Sequence, residues 1–206
     1  MIKFFTLGPA GSNHQFVTER YLDFQGIAKD ASIDFFRTFE EGAQKVLSRE
    51  ADFMIQCAVH PATMATVAKY LVGLYVVDTF ISGSQDLAIV KRKDVAHPST
   101  LAAMRPTMDY TDIGKWKEVI DEPTVMGVAA GMLDGRYEAG LTYVSVVQQH
   151  PDRFEIQEFI GTVDDAWIVY GRERISDGTL VGWKQSPAAR RYRQMIDGTD
   201  GSDQAG

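Results

Sequence analysis

Two short stretches place hydrogen-bond donors where a helix begins: Ser12-Asn13-His14-Gln15, after the turn Gly8-Pro9-Ala10-Gly11, and Thr124-Val125-Met126, after Pro123. The first N–H groups of a helix lack intrahelical partners and lie at the positive end of its dipole. Both positions therefore suit an anion without any charged side chain. Ser12 with Gln15 also matches a capping box, in which hydroxyl and amide satisfy those same groups, and capping is compatible with ligand contact. Asn13 and His14 lie in the first turn and reach either solvent or a ligand. Beside a helix N-terminus an imidazole is held neutral at pH 7, so His14 could donate a hydrogen bond or simply lie on the surface. His60, held by Pro61 in the loop after an apolar run, is the second histidine placed for chemistry, with a plain surface position as the alternative. His97 and His150 border prolines in polar surroundings and are assigned no role.

These residues sit between alternating strand and helix signals. Phe4 to Leu7 reads as a short strand, and the helix after Gly11 is expected to bury Phe16, Val17, Tyr21 and Phe24. Ser32 to Arg37 is a strand. Thr38 with Glu41 forms another capping box, and Phe39, Ala43, Val46 and Leu47 mark a helical inner face. Phe53 to Cys57 is a strand leading through His60-Pro61 into a helix from about Thr63 to Leu71. Leu74 to Phe80 and Leu87 to Lys91 are strands, joined through Ser82, Gly83 and Ser84; weaker units follow. Val125, Val128, Ala129, Met132 and Leu133 recur at helical spacing. Glu138 to Thr142 reads as a strand, Tyr143 to His150 as a helix stopped by Pro151, and Phe154 to Phe159 and Ala166 to Tyr170 as strands. Ser186-Pro187 caps and starts a basic helix to about Ile196. The Gly/Asp/Ser-rich stretch 197–206 is expected to be disordered. This βαβα order favours mostly parallel sheets with helices on both faces.

A chain of 206 residues with 45% hydrophobic and 24% charged residues can build one substantial core or two small lobes. No apolar run approaches the roughly 18–20 residues a membrane span needs, and no signal-peptide pattern opens the sequence, so a cytoplasmic protein is expected. Cys57 is the single cysteine, in an apolar run that favours a buried, inert thiol. A net charge of −7 without a basic stripe argues against nucleic acid, though not against an anionic small molecule. No metal-ligand spacing, P-loop or GxGxxG occurs, so no metal, nucleotide or redox cofactor is expected.

Thr6-Leu7-Gly8-Pro9-Ala10-Gly11-Ser12 resembles the opening motif of prephenate dehydratases, roughly FLGPxGT/S directly after the first strand. Ala51 to Val67 stands at the family's acid-to-Asn segment, and Arg105-Pro106-Thr107 near its His-Pro-Gln segment. Pro123-Thr124-Val125, followed by Ala139-Gly140-Leu141-Thr142, resembles its Ser-Thr helix and next strand. The first motif is close at the residue level and the others match in spacing and pattern, over about Met1 to Gly171. The resemblance implies an α/β, two-lobed type II periplasmic-binding-protein-like fold with a ligand between the lobes. The lobes would comprise 1–82 plus 162–185 and 83–161, with 186–206 as a C-terminal helix and tail.

The family carries Thr-Arg-Phe before its last strand, the Thr implicated in chemistry and the Arg in binding a carboxylate. Here Asp165-Ala166-Trp167 stands in that place, and the family's C-terminal regulatory domain is not in this sequence. Both departures resemble the short prephenate decarboxylases of the bacilysin pathway, which remove the ring carboxylate without aromatising the ring. That resemblance implies a cofactor-free lyase on prephenate or a similar small cyclic carboxylate, with decarboxylation preferred over dehydration. Such a reaction needs a less solvated pocket for the departing carboxylate and a proton for the ring, but no nucleophile. Asp165 and His60 are the expected catalytic residues, because an acid beside an anionic substrate can be held protonated, with a solvated Asp165 at the strand start beside Asp164 as the equal alternative. Arg105, at the end of a predicted strand, is the candidate for the missing carboxylate anchor, since a guanidinium takes a carboxylate in bidentate fashion, with an exposed surface arginine as the alternative. Ser12, Asn13, His14, Ser84, Thr124 and Trp167 complete the expected substrate contacts. Two alternatives stay open: an enzyme on another small carboxylate or enol acid, or a non-catalytic carboxylate sensor. The expected partner is a small anionic carboxylate, with a homodimer admitted and neither nucleic acid nor membrane expected.

Overall fold

A computed structural model describes residues 1–199. Residues 1–173 form one compact unit and the chain from residue 174 a second. The first unit runs β1 (Ile2–Leu7), α1 (Asn13–Phe24), β2 (Ala31–Phe36), α2 (Phe39–Leu47), β3 (Phe53–Cys57), α3 (Thr63–Tyr70), β4 (Tyr75–Gly83) and β5 (Leu87–Arg92). It continues with β6 (Thr100–Ala103), 3-10 turns at Arg105–Tyr110 and Ile113–Lys115, β7 (Glu118–Asp121), α4 (Val125–Leu133), β8 (Ala139–Tyr143), α5 (Ser145–Gln149), β9 (Phe154–Gly161) and β10 (Asp164–Gly171).

These strands make two five-stranded sheets, ordered β2-β1-β3-β10-β4 and β7-β6-β8-β5-β9. In the first, β1 pairs in parallel with β2 and β3, while β10 is antiparallel to both β3 and β4. In the second, β6 is parallel to β7 and β8, and β5 is antiparallel to β8 and β9. Four of five strands in each sheet therefore run one way, as the βαβα pattern predicts, with one reversed strand in the fourth place. Two connections link the sheets, from β4 to β5 and from β9 to β10, and they lie side by side. Ser84 N–H donates to Val163 O at 2.9 Å and Thr162 Oγ1 donates to Ser84 O at 2.7 Å.

Strand alternation sends neighbouring residues to opposite faces, and the core divides accordingly. On the first sheet, Ile55, Cys57 and Trp167 pack with Val17, Tyr21 and Leu22 of α1. Met54 and Tyr170 face the other way, against Phe39, Ala43 and Val46 of α2 and Tyr70 of α3. On the second sheet, Ala88 and Val90 meet Val128 and Met132 of α4 and Val146 of α5. Leu87 and Ile89 lie in a separate cluster with Leu101, Leu141 and the partly buried Met108 and Trp116.

The helix starts follow local rules. Ser12, Thr38 and Thr124 accept from the backbone N–H of Gln15, Glu41 and Gly127. The reciprocal side chains reach one residue further back than a capping box prescribes: Gln15 accepts from Gly11 N–H and Glu41 from Arg37 N–H. Three expectations are corrected. Phe24, the last residue of α1, is 84% exposed, and the residues that helix buries are Val17, Thr18, Tyr21 and Leu22. Tyr143 ends β8 rather than starting a helix, because it pairs with Leu87. The last strand starts at Asp164, two residues before the expected Ala166, so Asp165 lies inside β10.

In the second unit, α6 spans Pro187–Thr199, with Ser186 Oγ accepting from Ala189 N–H at 3.1 Å. The helix thus runs three residues past the expected end at Ile196, into part of the expected disordered stretch; 200–206 lie outside the described residues. Among the described residues no helix is long and apolar enough to cross a membrane.

Candidate functional site

The polar residues around the two inter-sheet connections form one hydrogen-bonded cluster. Asn13, the first residue of α1, donates from Nδ2 to Ser84 Oγ at 2.9 Å and accepts at Oδ1 from Gln85 N–H at 2.9 Å. Gln85 Nε2 donates to Gly11 O at 3.2 Å. The Ser84 hydroxyl accepts from Asn13 and donates to Asp165 Oδ2 at 3.0 Å. Residues at 13, 84 and 165 thus meet at the N-terminal end of α1.

The second sheet contributes to the same place. Tyr143, at the end of β8, lies within reach of the Asn13 backbone N–H; burial pushes its phenol up to about 12, and that N–H works against the shift. A methyl group on Gly11 would stand 3.5 Å from Met126 Cε, so the turn before α1 faces the first turn of α4. Tyr110 sits beside Asp165 and Cys57: burial chiefly, then the Asp165 and Cys57 charges, raise its phenol above the ordinary value. Burial first, with Asp165 among the lesser causes, pushes the Cys57 thiol up to about 11. That thiol is protonated at neutral pH, in keeping with an inert role.

Behind this cluster His14 and His60 share an aromatic cage. The His14 ring lies 5.0 Å from Trp167, 5.7 Å from Phe39 and 6.1 Å from His60, and His60 packs 4.7 Å from Phe39. His60 Nδ1 accepts from Ala62 N–H at 3.1 Å, so neutral His60 carries its proton on Nε2. His14 Nε2 is shielded from solvent and has no partner among the described residues. Burial, and to a lesser degree His60, lowers the His14 imidazole to about 3; burial also lowers His60. Both rings are therefore neutral at pH 7, but the cause for His14 is enclosure more than the helix dipole.

Three expected ligand contacts take other places. Arg105 opens a 3-10 turn rather than ending a strand, is 80% exposed at its side chain, and gives Nε and Nη2 to Asp121 Oδ2 at 3.0 and 2.9 Å. The guanidinium thus faces a carboxylate of the chain itself, in solvent. Trp167 is fully buried, a core residue supporting His14 rather than an open wall. Thr124 caps α4 as expected, but a Cβ on Gly127 would stand 2.8 Å from Glu122 Oε2, so a carboxylate of the chain itself already lies against that first turn. Glu122 is held there by Arg136 at 3.2 Å and by the Tyr137 hydroxyl. Ser12 Oγ donates to Leu7 O at 3.0 Å besides accepting from Gln15, which leaves it a structural cap. Among the described residues no three His, Cys, Asp or Glu side chains are grouped to hold a metal ion.

Sequence reasoning missed Gln85, Tyr110 and Glu122. Glu122, directly before Pro123 and two residues ahead of the Thr124 cap, carried the one usable signal, an acid beside a helix N-terminus.

No family model and no curated protein matches the chain. Among solved structures, a prephenate dehydratase from Arthrobacter aurescens in complex with L-Phe is similar, with a TM-score of 0.63 at 18% identity over 87% of this chain and 63% of that one. GqqA, described as a novel type of quorum quenching acylase, gives 0.54 at 11% identity over 84% of this chain and 65% of that one. An ABC transporter from Parabacteroides distasonis gives 0.52 at 13% identity over 97% and 70%. The chain therefore spans less than two thirds of the first two structures. The fold is the two-sheet α/β arrangement of prephenate dehydratases and type II periplasmic binding proteins.

Proposed function

We propose that the chain is a cofactor-free lyase acting on prephenate or a similar small cyclic carboxylate, with decarboxylation preferred over dehydration. The observation that carries this reading is the Asn13–Ser84–Asp165 chain at the start of α1. It joins an anion-favouring helix terminus to an acid, where the dehydratases that the sequence resembles carry Thr. A substrate carboxylate binds at the N-terminal turn of α1, and the neutral, enclosed His14 and His60 keep water from that side. The bond from the ring to its carboxylate breaks, carbon dioxide leaves with the carboxylate oxygens, and the electron pair passes into the ring. One proton, taken up by Asp165 from solvent and delivered to the ring, completes the product, with Ser84 holding the carboxyl in position. No electron is gained from or lost to another molecule.

Incubation with prephenate at pH 7–8, with products identified by mass, tests the proposal. Carbon dioxide release without phenylpyruvate is expected. Asp165→Asn should lower kcat at least a hundredfold while prephenate still binds, the usual scale for losing a general acid. Efficient phenylpyruvate formation would show dehydration instead, and saturable binding without turnover would leave a carboxylate sensor.

A further inference from the structure

A second concave site lies at the other end of α1. A cavity of about 410 Å³ opens at the N-terminal ends of β1 and β3, lined by Phe4, Phe53, Tyr21, Gln25, Ile27 and Asp78 among others. It is within the volume range of small-ligand sites, roughly 300–1,000 Å³. Asn13 and His14 begin α1, whereas Tyr21 and Gln25 stand at its C-terminal end; a helix of 12 residues separates the two by about 18 Å end to end.

Its chemistry is one-sided. Phe4 and Phe53 stack at 5.1 Å, and Tyr21 meets the edge of Phe4 at 6.3 Å and stacks on Phe80 at 4.5 Å. Against these rings stands a single carboxylate. Asp78 Oδ2 accepts from the Tyr21 hydroxyl at 2.8 Å and from Gln25 Nε2 at 3.4 Å, and Oδ1 accepts from Thr79 N–H at 2.8 Å. Every one of these donors is neutral, and among the described residues no Lys, Arg or His forms an ion pair with Asp78. Oδ1, with one donor, keeps an acceptor position free. Burial foremost, then the Asp78 hydrogen bond and charge, raise the Tyr21 phenol, so its proton stays on the bond to Asp78.

A half-buried carboxylate with only neutral partners is poorly compensated, and aromatic rings beside it favour a cation. We infer that this cavity binds a small organic ammonium, a primary amine on an apolar body of aromatic size, with its charge on Asp78 and its body among Phe4, Phe53 and Ile27. An alcohol of the same shape lacks the charge, and a carboxylate is repelled by Asp78. The site is independent of the proposed lyase chemistry, because none of its residues belongs to the Asn13–Ser84–Asp165 cluster.

Titration calorimetry with benzylamine, benzyl alcohol and benzoate on the full chain at pH 7 decides the matter, with amide chemical shifts locating the ligand. Benzylamine should bind at least tenfold more tightly than benzyl alcohol and shift Phe4, Tyr21 and Gln25 rather than Asn13 and His14; benzoate should not bind there. Asp78→Asn keeps an acceptor for the Thr79 N–H on its one amide oxygen, turns an amide donor towards the Tyr21 hydroxyl in place of the second carboxylate oxygen, and should remove the tenfold preference. Ile27→Phe, which fills the cavity and leaves Asp78 intact, should weaken benzylamine as well and serves if Asp78→Asn does not fold. Equal binding of amine and alcohol, undiminished benzylamine binding in either variant, or no saturable binding would each overturn the assignment.

Discussion

His14 should make the protein acid-labile well above the pH at which carboxylates titrate. Its ring is enclosed by Trp167, Phe39 and His60, and its Nε2 has no partner among the described residues. Its imidazole is lowered from 6.5 to about 3, by burial first and His60 second. In the unfolded chain the same imidazole takes up a proton near 6.5, so acidification stabilises the unfolded state and not the folded one. The contribution is fully present above pH 6.5 and is lost progressively as pH falls towards 3. Within that window linkage gives about 1.4 kcal/mol per pH unit. Between pH 7.5 and 5.5 His14 should therefore remove about 1.4 kcal/mol of unfolding free energy, about three quarters of it in the last unit. For a domain of this size that corresponds to a fall of about 3–6 °C in melting temperature. His60, lowered in the same direction by burial, adds to the effect. His14→Phe keeps a ring against Trp167 and Phe39 but cannot titrate. Urea unfolding of both proteins at the two pH values isolates the difference, since most carboxylates stay ionised throughout this range. The variant should lose about 1.4 kcal/mol less than the parent on acidification, whatever its stability at pH 7.5. An equal loss in both proteins would mean that His14 is protonated, or reached by water, in the folded state.

Ser12→Ala removes a cap that both accepts from Gln15 and donates to Leu7, and denaturant unfolding should show a loss of about 1–2 kcal/mol. Arg105→Ala breaks one exposed ion pair, so stability should fall by less than about 1 kcal/mol, and calorimetry should find prephenate affinity changed less than about twofold. Gln56 is fully buried on β3 with both ends of its amide unpartnered among the described residues, so Gln56→Met should raise stability by about 1–3 kcal/mol in a thermal or urea melt. Unchanged or lower stability would point to water bound at that amide.

Features set by a few adjacent residues were legible in the sequence. Ser12, Thr38 and Thr124 cap helices because each precedes a run of helical spacing, and a cap depends on three or four residues in a row. The alternating order of elements likewise predicted the sheets, since apolar periodicity is local. Features that depend on pairing were not legible. Tyr143 follows an apolar run that fits either element, and only its register with Leu87 makes it a strand residue. Arg105 looks like a free cation in the sequence; parallel pairing of β6 and β7 sets Ala103 opposite Asp121, which brings that carboxylate to the guanidinium. Ser84 and Asp165 were both singled out, but as a linker residue and an isolated acid, and their hydrogen bond spans 81 positions.

That bond follows from the topology rather than from local sequence. Each sheet takes its one reversed strand, β10 or β5, in the fourth place, and each of these strands begins just after an inter-sheet connection. The connections run together, Ser84 against Val163 and Thr162, so the residue directly after β4 and the second residue of β10 must be neighbours. The N-terminus of α1 closes the group through Asn13 and Gln85. A fold built this way brings a linker residue, a strand start and a helix start to one point whatever side chains they carry. The chemistry is then set by which residues occupy those positions, and here they are a hydroxyl, a carboxylate and an amide. Changing the acid at position 165 should therefore alter turnover far more than it alters the fold, and that separation is what makes Asp165→Asn a test of function.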